Sequence, residues 1–293
     1  MGEQGEGLGG QSLNSQTVMY GVFGDPVGHS KSPLMLNRAF QAAGINGAYA
    51  AFHILPGTLG EAVKGIRALG FRGVNVTIPH KVEVMDYLDE IDESARAIGA
   101  VNTIVNDNGR LKGFNTDGIG YVRSLKEETG VDLSGKRILL LGAGGAARGI
   151  AYALARENVG RLLIANRTAE RARELASAMS AYTETAGMGT EDIALCIGET
   201  DIVINTTSAG MHPHVDEVPM NTELLHRNLL VSDLIYNPRI TRLLREAEQA
   251  GARVHSGLGM FIYQGAYAFE YWTGLPAPAA EMRAIVEEAL SGG

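Results

Sequence analysis

Residues 139–149 read LLLGAGGAARG. An apolar run feeds a glycine-rich turn, and the turn opens a helix that continues as GIAYALA. Gly142-x-Gly144-x-x-Ala147 fits the dinucleotide fingerprint in its G-x-G-x-x-G/A form. The first glycine permits the tight turn, and the second lets backbone N–H groups approach a pyrophosphate. The small third residue lets helix and strand pack closely, with the helix N-terminus facing the anion. The fingerprint carries weight because it lies between a strand and a helix. It predicts a Rossmann-type unit, whose later strands read as RLLIANR (161–167), DIVINTTS (201–208), LLVSDLIY (229–236) and ARVHSG (252–257).

The second strand of such a unit selects the cofactor. An NAD-binding fold usually places Asp or Glu at its end to hold the ribose hydroxyls. Here the strand ends in Asn166-Arg167-Thr168, with no acid. A guanidinium can fork onto a 2′-phosphate, so the expected cofactor is NADP(H) rather than NAD.

Upstream, TVMYGVFG (17–24), AYAAFHIL (48–55) and GVNVTIP (73–79) read as strands. They alternate with the helical stretches LMLNRAFQAAGI, LGEAVKGIRALGF and VEVMDYLDEI, the pattern of an α/β sheet with parallel strands. In GVNVTIPHK the apolar residues Val74, Val76 and Ile78 alternate with Asn75 and Thr77, predicting one core face and one polar face. Pro79 ends the ladder, because it has no N–H to donate. VNTIV and RLKGFN flank Asn106-Asp107-Asn108-Gly109, which has hairpin-turn chemistry. A helix follows from about Asp117 to Glu128, and two more follow Ser256.

The fold class is therefore α/β with two domains: an N-terminal α/β substrate domain and a Rossmann-type NADP-binding domain. The substrate domain takes residues 17–117 and 257–293, the nucleotide domain 118–256, and residues 1–16 form a Gly-, Gln- and Ser-rich flexible tail. The 293-residue chain is 45% hydrophobic and 20% charged, which suffices for real cores. A net charge of −8 argues against nucleic acid as a partner. No apolar run has membrane-spanning length, and no leader pattern stands at the start. Cys196 is the single cysteine, so no internal disulfide forms and a cytoplasmic location is expected. The expected partner is a small molecule, with the chain a monomer or homodimer.

Three polar clusters remain. Ser30 and Ser32 precede or open a helix; Asn75, Thr77 and Lys81 come with the third strand; Asn102 and Asp117 flank the hairpin. Ligands of open α/β sheets bind beyond the carboxyl ends of the strands. Hydroxyls and amides suit a polyhydroxylated or carboxylated small molecule, and one Lys with one Asp suits proton transfer. Each residue also has a plainer reading: either serine or Asp117 as a helix N-cap, Asn102 as a turn partner, Lys81 as a solvated charge. His212-x-His214-x-Asp216 lies in a Pro-containing loop without further ligands and reads as surface, so no metal is expected.

Taken in order, GDPVGHSKSP (24–33), GVNVTIPHK (73–81), GAVNTI (99–104), GFNTDG (113–118), GAGGAARG (142–149), NRT (166–168), NTTSAGM (205–211), DLIYNPRITRLL (233–244) and GLGMFIYQGAYAFEYWTG (257–274) resemble the shikimate dehydrogenase family. The resemblance runs from about Val18 to the C-terminus. It implies NADPH-dependent reduction of 3-dehydroshikimate to shikimate on the route to chorismate and the aromatic amino acids; the alternative is an NAD-dependent quinate/shikimate dehydrogenase. It implies that Lys81 and Asp117 are the catalytic pair, with either one the proton donor. Ser30, Ser32, Thr77, Asn102 and Gln264 then resemble residues that hold the substrate, with Asn75 and Tyr236 close by. Gly142, Ala143, Gly144, Gly145, Ala146, Ala147, Asn166, Arg167, Thr168, Thr206 and Gly257 then fall to the cofactor. Ser32 favours shikimate, since relatives that prefer quinate often carry Thr there. Leu36 stands where the family usually has His; on a helix away from the chemistry, it is expected to have little effect.

Overall fold

The computed structural model describes residues 13–291. The first sheet is built from β1 (Val18–Gly24), β2 (Gly47–His53), β3 (Gly73–Val76), β4 (Glu90–Ile91), β5 (Thr103–Asp107) and β6 (Arg110–Phe114). Between them lie helices α1 (Ser32–Ala42), α2 (Leu59–Ala68) and α3 (Glu93–Ile98). The strand order is β2-β1-β3-β5-β6-β4. β1 pairs in parallel with β2 and β3, and β4 with β6, whereas β5 runs antiparallel to both neighbours. The sheet is thus mixed: the hairpin at Asn108 (φ 51°) and Gly109 (φ 93°) reverses the chain with the two positive-φ residues that a tight hairpin demands.

Alternate residues of β1 serve two cores. Tyr20 and Val22 pack with α1 and the C-terminal helices, and Phe23 packs with α2 and β3. Residues 13–16 end in a turn, in which the Asn14 side chain accepts hydrogen bonds from the Gln16 N–H (2.9 Å) and the Asn46 amide (3.0 Å). That end of the expected tail is therefore tied down, and residues 1–12 lie outside the described residues.

Two expectations in this half need correction. All four residues of β3 are buried, and the strand ends at Val76, so Ile78 lies in the following turn, 71% exposed rather than in the core. The stretch 82–91 is not an α-helix but a 3₁₀ turn, Glu83–Tyr87, followed by β4. Val84, Tyr87, Leu88 and Ile91 do keep helical spacing, but the chain turns extended at Leu88 (ψ 148°) and Glu90 and Ile91 pair with β6, while the Tyr87 ring lies where a Cβ on Gly60 would sit, bracing the turn on α2.

After α4 (Asp117–Thr129), the second sheet uses β7 (Arg137–Leu141), β8 (Arg161–Ala165), β9 (Thr185–Met188), β10 (Ile202–Asn205), β11 (Leu230–Asp233) and β12 (Arg253–His255). Helices α5 (Gly145–Ala155), α6 (Ala169–Met179) and α7 (Arg242–Gln249) connect them. The order is β12-β11-β10-β7-β8-β9 with every pair parallel. Ile138 and Leu140 face one core, Leu139 and Leu141 the other, which is why this strand is a continuous apolar run. The strand Thr185–Met188 lacks such a run and was not anticipated; it is held at the edge by β8 and α6.

The chain returns through α8 (Leu258–Thr273) and α9 (Ala279–Ser291). Trp272 at the end of α8 donates to the Ile104 carbonyl (2.9 Å) and covers Gly73, where a Cβ would lie 2.0 Å from its Nε1. α4 crosses α5 at Gly118, where a Cβ would lie 2.2 Å from the Gly149 carbonyl oxygen. It crosses α8 at Gly120, where a Cβ would lie 2.7 Å from the Gln264 nitrogen. Leu36 is on α1, as expected, but fully buried in the core beneath α8 and α9.

The base of α4 meets β11 and β12 in a buried polar cluster. His255 shares hydrogen bonds with Ser124 (2.8 Å) and Ser232 (2.9 Å), and Tyr121 donates to Ser232 (2.9 Å). Burial pulls the His255 pKa from 6.5 to about 4; Glu128 opposes the shift and Arg283 adds to it. Between pH 6.5 and 4 the unfolded chain then binds more protons at this site than the folded chain does. Neutral His255 therefore leaves stability intact above pH 6.5 and removes it as pH falls through that window, at up to ~1.4 kcal/mol per pH unit. Urea unfolding at pH 7 and pH 5 should show a smaller acid loss in His255→Asn than in the parent; parallel losses would exclude His255 as a source of acid sensitivity.

Candidate active site

Beyond β3 the chain makes a turn over residues 78–82 before the 3₁₀ segment. Ladder bonds extend just past the strand: the Val76 N–H donates to the Asn102 carbonyl (2.8 Å) and the Thr77 N–H to Phe23 (2.9 Å). Gly24 leaves room for the Thr77 methyl, which would lie 2.3 Å from a Cβ there. The Lys81 carbonyl accepts from the Val101 N–H (2.8 Å), which fixes the base of the Lys81 side chain. Its Nζ lies 2.6 Å from Asp117 Oδ2, with both side chains largely shielded from solvent. His80, next door, points elsewhere: it is fully buried, with Nε2 2.7 Å from the Ile54 carbonyl.

Asp117 is the first residue of α4, not a capping residue: the cap position is Thr116, and the Asp117 side chain leaves the helix for Lys81. Its second oxygen accepts from Asn102 Nδ2 (2.8 Å). The other Asn102 N–H goes to Thr116 Oγ1 (3.0 Å), and Asn102 Oδ1 accepts from the Thr116 N–H (2.9 Å) and the Thr103 hydroxyl (3.0 Å). Thr116 Oγ1 in turn donates to the Gln264 carbonyl of α8 (3.0 Å). The sequence reading missed Thr103 and Thr116, although both stand in quoted motifs beside Asn102 and Asp117.

Asn75 is similarly engaged. Its amide nitrogen donates to the Asn102 carbonyl (3.2 Å) and Thr103 Oγ1 (3.1 Å), and its oxygen accepts from the Tyr49 hydroxyl (2.7 Å). Burial raises the Tyr49 pKa, and the nearby Ser32 side chain opposes that rise. Ser30 Oγ accepts from the Ser32 N–H (3.2 Å) at the start of α1. Tyr236 stacks on Phe261 (4.4 Å between ring centroids), and burial raises its pKa while the nearby Lys31 backbone opposes the rise, so it stands beside the same loop. Gln264 Nε2 donates to the Phe261 carbonyl (2.9 Å). Among the described residues the Thr77 hydroxyl has no side-chain hydrogen-bond partner.

The glycine turn follows β7. Gly142 has φ +109°, a conformation open to glycine, and a Cβ there would lie 2.5 Å from Thr206 Oγ1. Thr206 is held by donating to the Leu141 carbonyl (2.7 Å). Gly144 and Gly145 have open space where a Cβ would project, at the N-terminus of α5. Bare backbone, free space and a helix N-terminus fit the pyrophosphate of a dinucleotide. A cavity of about 470 Å³ runs from Gly142 past Asn166 and Arg167 to Thr207 and Pro219. Arg167 and Thr168 are exposed at its rim, and Asn166 donates to the Thr168 carbonyl (2.9 Å), fixing the bend that presents them.

Asn205 braces the far wall. Its Oδ1 accepts from the Thr207 N–H (3.0 Å) and hydroxyl (2.7 Å), and its Nδ2 donates to Asp233 Oδ1 (3.0 Å). Burial raises the Asp233 pKa to about 6 against the pull of its donors Ile235, Thr241 and Asn205. Gly257 does not line this cavity. It is the residue before α8, and a Cβ there would lie 2.0 Å from the Leu234 carbonyl oxygen, so its glycine serves a close backbone approach. A second cavity, about 620 Å³ between α3, α4 and α5, shares no lining residue with the expected site set.

The two halves of the site meet at Asp117. A Cβ on Gly149 would lie 3.6 Å from the Asp117 Cβ. Gly149 is one turn, ~6 Å, along α5 from Gly145, so the Lys81–Asp117 pair sits beside the helix that starts at the glycine turn. His212 and His214 lie exposed on their loop, and no group of three or more His, Cys, Asp or Glu among the described residues is placed to hold a metal ion.

Comparison with known proteins agrees with this geometry. Family models match residues 22–104 (shikimate dehydrogenase substrate binding domain), 124–250 (shikimate/quinate 5-dehydrogenase) and 257–287 (shikimate 5'-dehydrogenase C-terminal domain). A shikimate dehydrogenase (NADP(+)) of Geobacillus kaustophilus is 52% identical over 276 residues, covering 93% of this chain and 98% of the relative. A crystal structure of a shikimate dehydrogenase in complex with NADP+ superposes with a TM-score of 0.90 at 43% identity, covering 97% of this chain and 99% of that one. The Thermus thermophilus shikimate 5-dehydrogenase in complex with NADP(H) and shikimate gives 0.85 at 37%, covering 93% and 100%. With its mixed substrate sheet, its parallel nucleotide sheet and its Lys–Asp pair between them, this chain belongs to the shikimate dehydrogenase family.

Proposed function

We infer that this chain catalyses the reversible NADPH-dependent reduction of 3-dehydroshikimate to shikimate on the route to chorismate and the aromatic amino acids. The observation that carries the reading is the 2.6 Å Lys81–Asp117 pair, set one helical turn from the open glycine turn. NADPH, when bound, supplies the hydride for the C3 ketone. Negative charge then gathers on the ketone oxygen. The Lys81 ammonium stabilises that oxygen by a hydrogen bond and transfers its proton to it, completing the alcohol, and is reprotonated from solvent. Asp117 holds Lys81 in place and is itself held by Asn102, so the pair meets the substrate already oriented.

The free hydroxyl of Thr77 and the hydroxyls of Ser30, Ser32 and Tyr236 suit the carboxylate and ring hydroxyls of the substrate, with Gln264 beside them. Asn75 and Asn102 have both amide N–H groups engaged with protein, which supports a role in shaping the pocket wall. Arg167 and Thr168 are free at the cavity rim to meet the 2′-phosphate, and the backbone of residues 142–147 meets the pyrophosphate. In this reading residues 17–117 and 257–293 form the substrate unit and 118–256 the nucleotide unit, with α4 and α8 shared at their junction. The working location is the cytoplasm; no helix among the described residues is long and apolar enough to cross a membrane.

The direct test is loss of NADPH absorbance with 3-dehydroshikimate, run beside NADH and 3-dehydroquinate. Turnover confined to NADPH and 3-dehydroshikimate is expected. Turnover with NADH and 3-dehydroquinate would move the chain to the quinate branch. Lys81→Ala should lower kcat by ~10²–10⁴, the usual scale for a general acid; a loss below about tenfold would remove Lys81 from proton transfer. Arg167→Ala should raise KM for NADPH by roughly 10- to 100-fold, the worth of a charge-assisted phosphate contact, and leave KM for NADH little changed. Equal shifts for both nucleotides would show that Arg167 does not read the 2′-phosphate.

A further inference from the structure

Tyr49 is absent from every motif that points to the site, yet it lies at the inner end of the site's hydrogen-bond chain. It is 3% exposed, midway along the edge strand β2. Its backbone faces no further strand; the Asn37 side chain of α1 closes that edge, donating to the Tyr49 carbonyl (2.9 Å) and accepting from its N–H (2.8 Å). Its ring packs beside Trp272, 6.1 Å between centroids. Backbone and ring are therefore both fixed, and so is the direction of the hydroxyl.

That hydroxyl donates to Asn75 Oδ1 in the substrate pocket, and the Ser32 side chain is close enough to act on it, opposing the rise that burial gives its pKa. Donation to Asn75 Oδ1 decides which way the amide points: nitrogen toward the Asn102 carbonyl and Thr103, oxygen toward Tyr49. From Asn75 the contacts continue through Thr103 to Asn102 Oδ1, from Asn102 Nδ2 to Asp117, and from Asp117 to Lys81. The chain is buried and joins the serine end of the pocket to its Lys–Asp end. A buried polar chain of this kind holds one arrangement only while its members are satisfied, since an orphaned member costs more than a bond gains.

We propose that Tyr49 is a positioning residue of the substrate site, whose hydroxyl sets the orientation of Asn75 and, through it, of Thr103, Asn102 and Asp117. It touches neither substrate nor cofactor; it acts through Asn75. The proposal rests on the substrate reading above for its kinetic consequence, but the orientation of Asn75 is independent of that reading. Removing the hydroxyl leaves Asn75 Oδ1 without its donor, so the pocket wall loosens while the cofactor cavity is untouched.

The test uses Tyr49→Phe, which keeps the ring against Trp272, with Asn75→Ala and the double variant beside it. The expected result is a roughly tenfold loss of kcat/KM for 3-dehydroshikimate, the worth of one buried hydrogen bond, with KM for NADPH unchanged. The double variant should be no worse than Asn75→Ala alone, because Tyr49 works through that amide. In nitrogen-15 spectra, the Asn75 side-chain amide protons should exchange with water faster in Tyr49→Phe than in the parent. Losses that multiply in the double variant, or a lower melting temperature with unchanged kinetics and amide exchange, would overturn the proposal. If the parent enzyme does not turn over 3-dehydroshikimate, the activity reading fails, and the amide exchange alone decides the positioning role.

Discussion

Everything in the site hangs on how closely α4 can approach its neighbours. At Gly118 and Gly120 the helix touches α5 and α8 at distances that leave no space for a Cβ. The contacts face different partners, one in the nucleotide half and one in the returning C-terminal helix. Any larger residue at either point would push a helix out against close-packed backbone, which interiors resist. With both glycines in place, the first turn of α4 is wedged at the junction of the two sheets. Asp117, at its first position, is thereby carried to Lys81 on one side and to the flank of α5 on the other.

The polar groups around that wedge divide into two kinds. Asn75, Asn102, Thr103 and Thr116 spend their hydrogen-bonding capacity on one another, on the backbone and on Asp117. The Thr77 hydroxyl and the Arg167 guanidinium make no hydrogen bond among the described residues, and Gly144 and Gly145 leave open space at the N-terminus of α5. The first kind costs conformational freedom once, at folding, and leaves the Lys81–Asp117 pair already oriented. Asn205 and Asp233 repeat the arrangement on the nucleotide side, where they hold the loop after β10 in shape without entering the cavity.

Much of this was legible in the sequence. The glycine fingerprint, the apolar strands of the second sheet and the Asn-Gly hairpin announce themselves because each is a local requirement: positive φ, two-sided burial or a tight reversal. Lys81, Asp117, Ser30 and Ser32 stood out through their motifs. The failures are equally physical. Ile78 belongs to an alternating pattern that the chain abandons at Val76, and the segment 82–91 keeps a helical spacing that tertiary pairing overrides, because β6 draws Glu90 and Ile91 into the sheet. Thr185–Met188 is a strand because β8 offers it an edge, which no local signal reports. That Gly257 must be glycine for its close approach to the Leu234 carbonyl is likewise visible only in the packing.

By itself, then, the sequence determined most of the order of elements, the two-sheet α/β class, the dinucleotide turn with an arginine in place of an acid, and that Lys81 and Asp117 stand in motifs of the family. These depend on residue type and short-range spacing. Tertiary structure decided what Asn75 and Asn102 are doing, since their capacity is consumed by partners 26 to 28 and 14 to 15 residues away. It also decided that Tyr49 matters, because a tyrosine in an edge strand acquires a role only when the sheet carries its hydroxyl to Asn75. Hydrogen bonds between distant segments follow from how strands and helices are laid side by side, and that arrangement has no short-range signature in the chain.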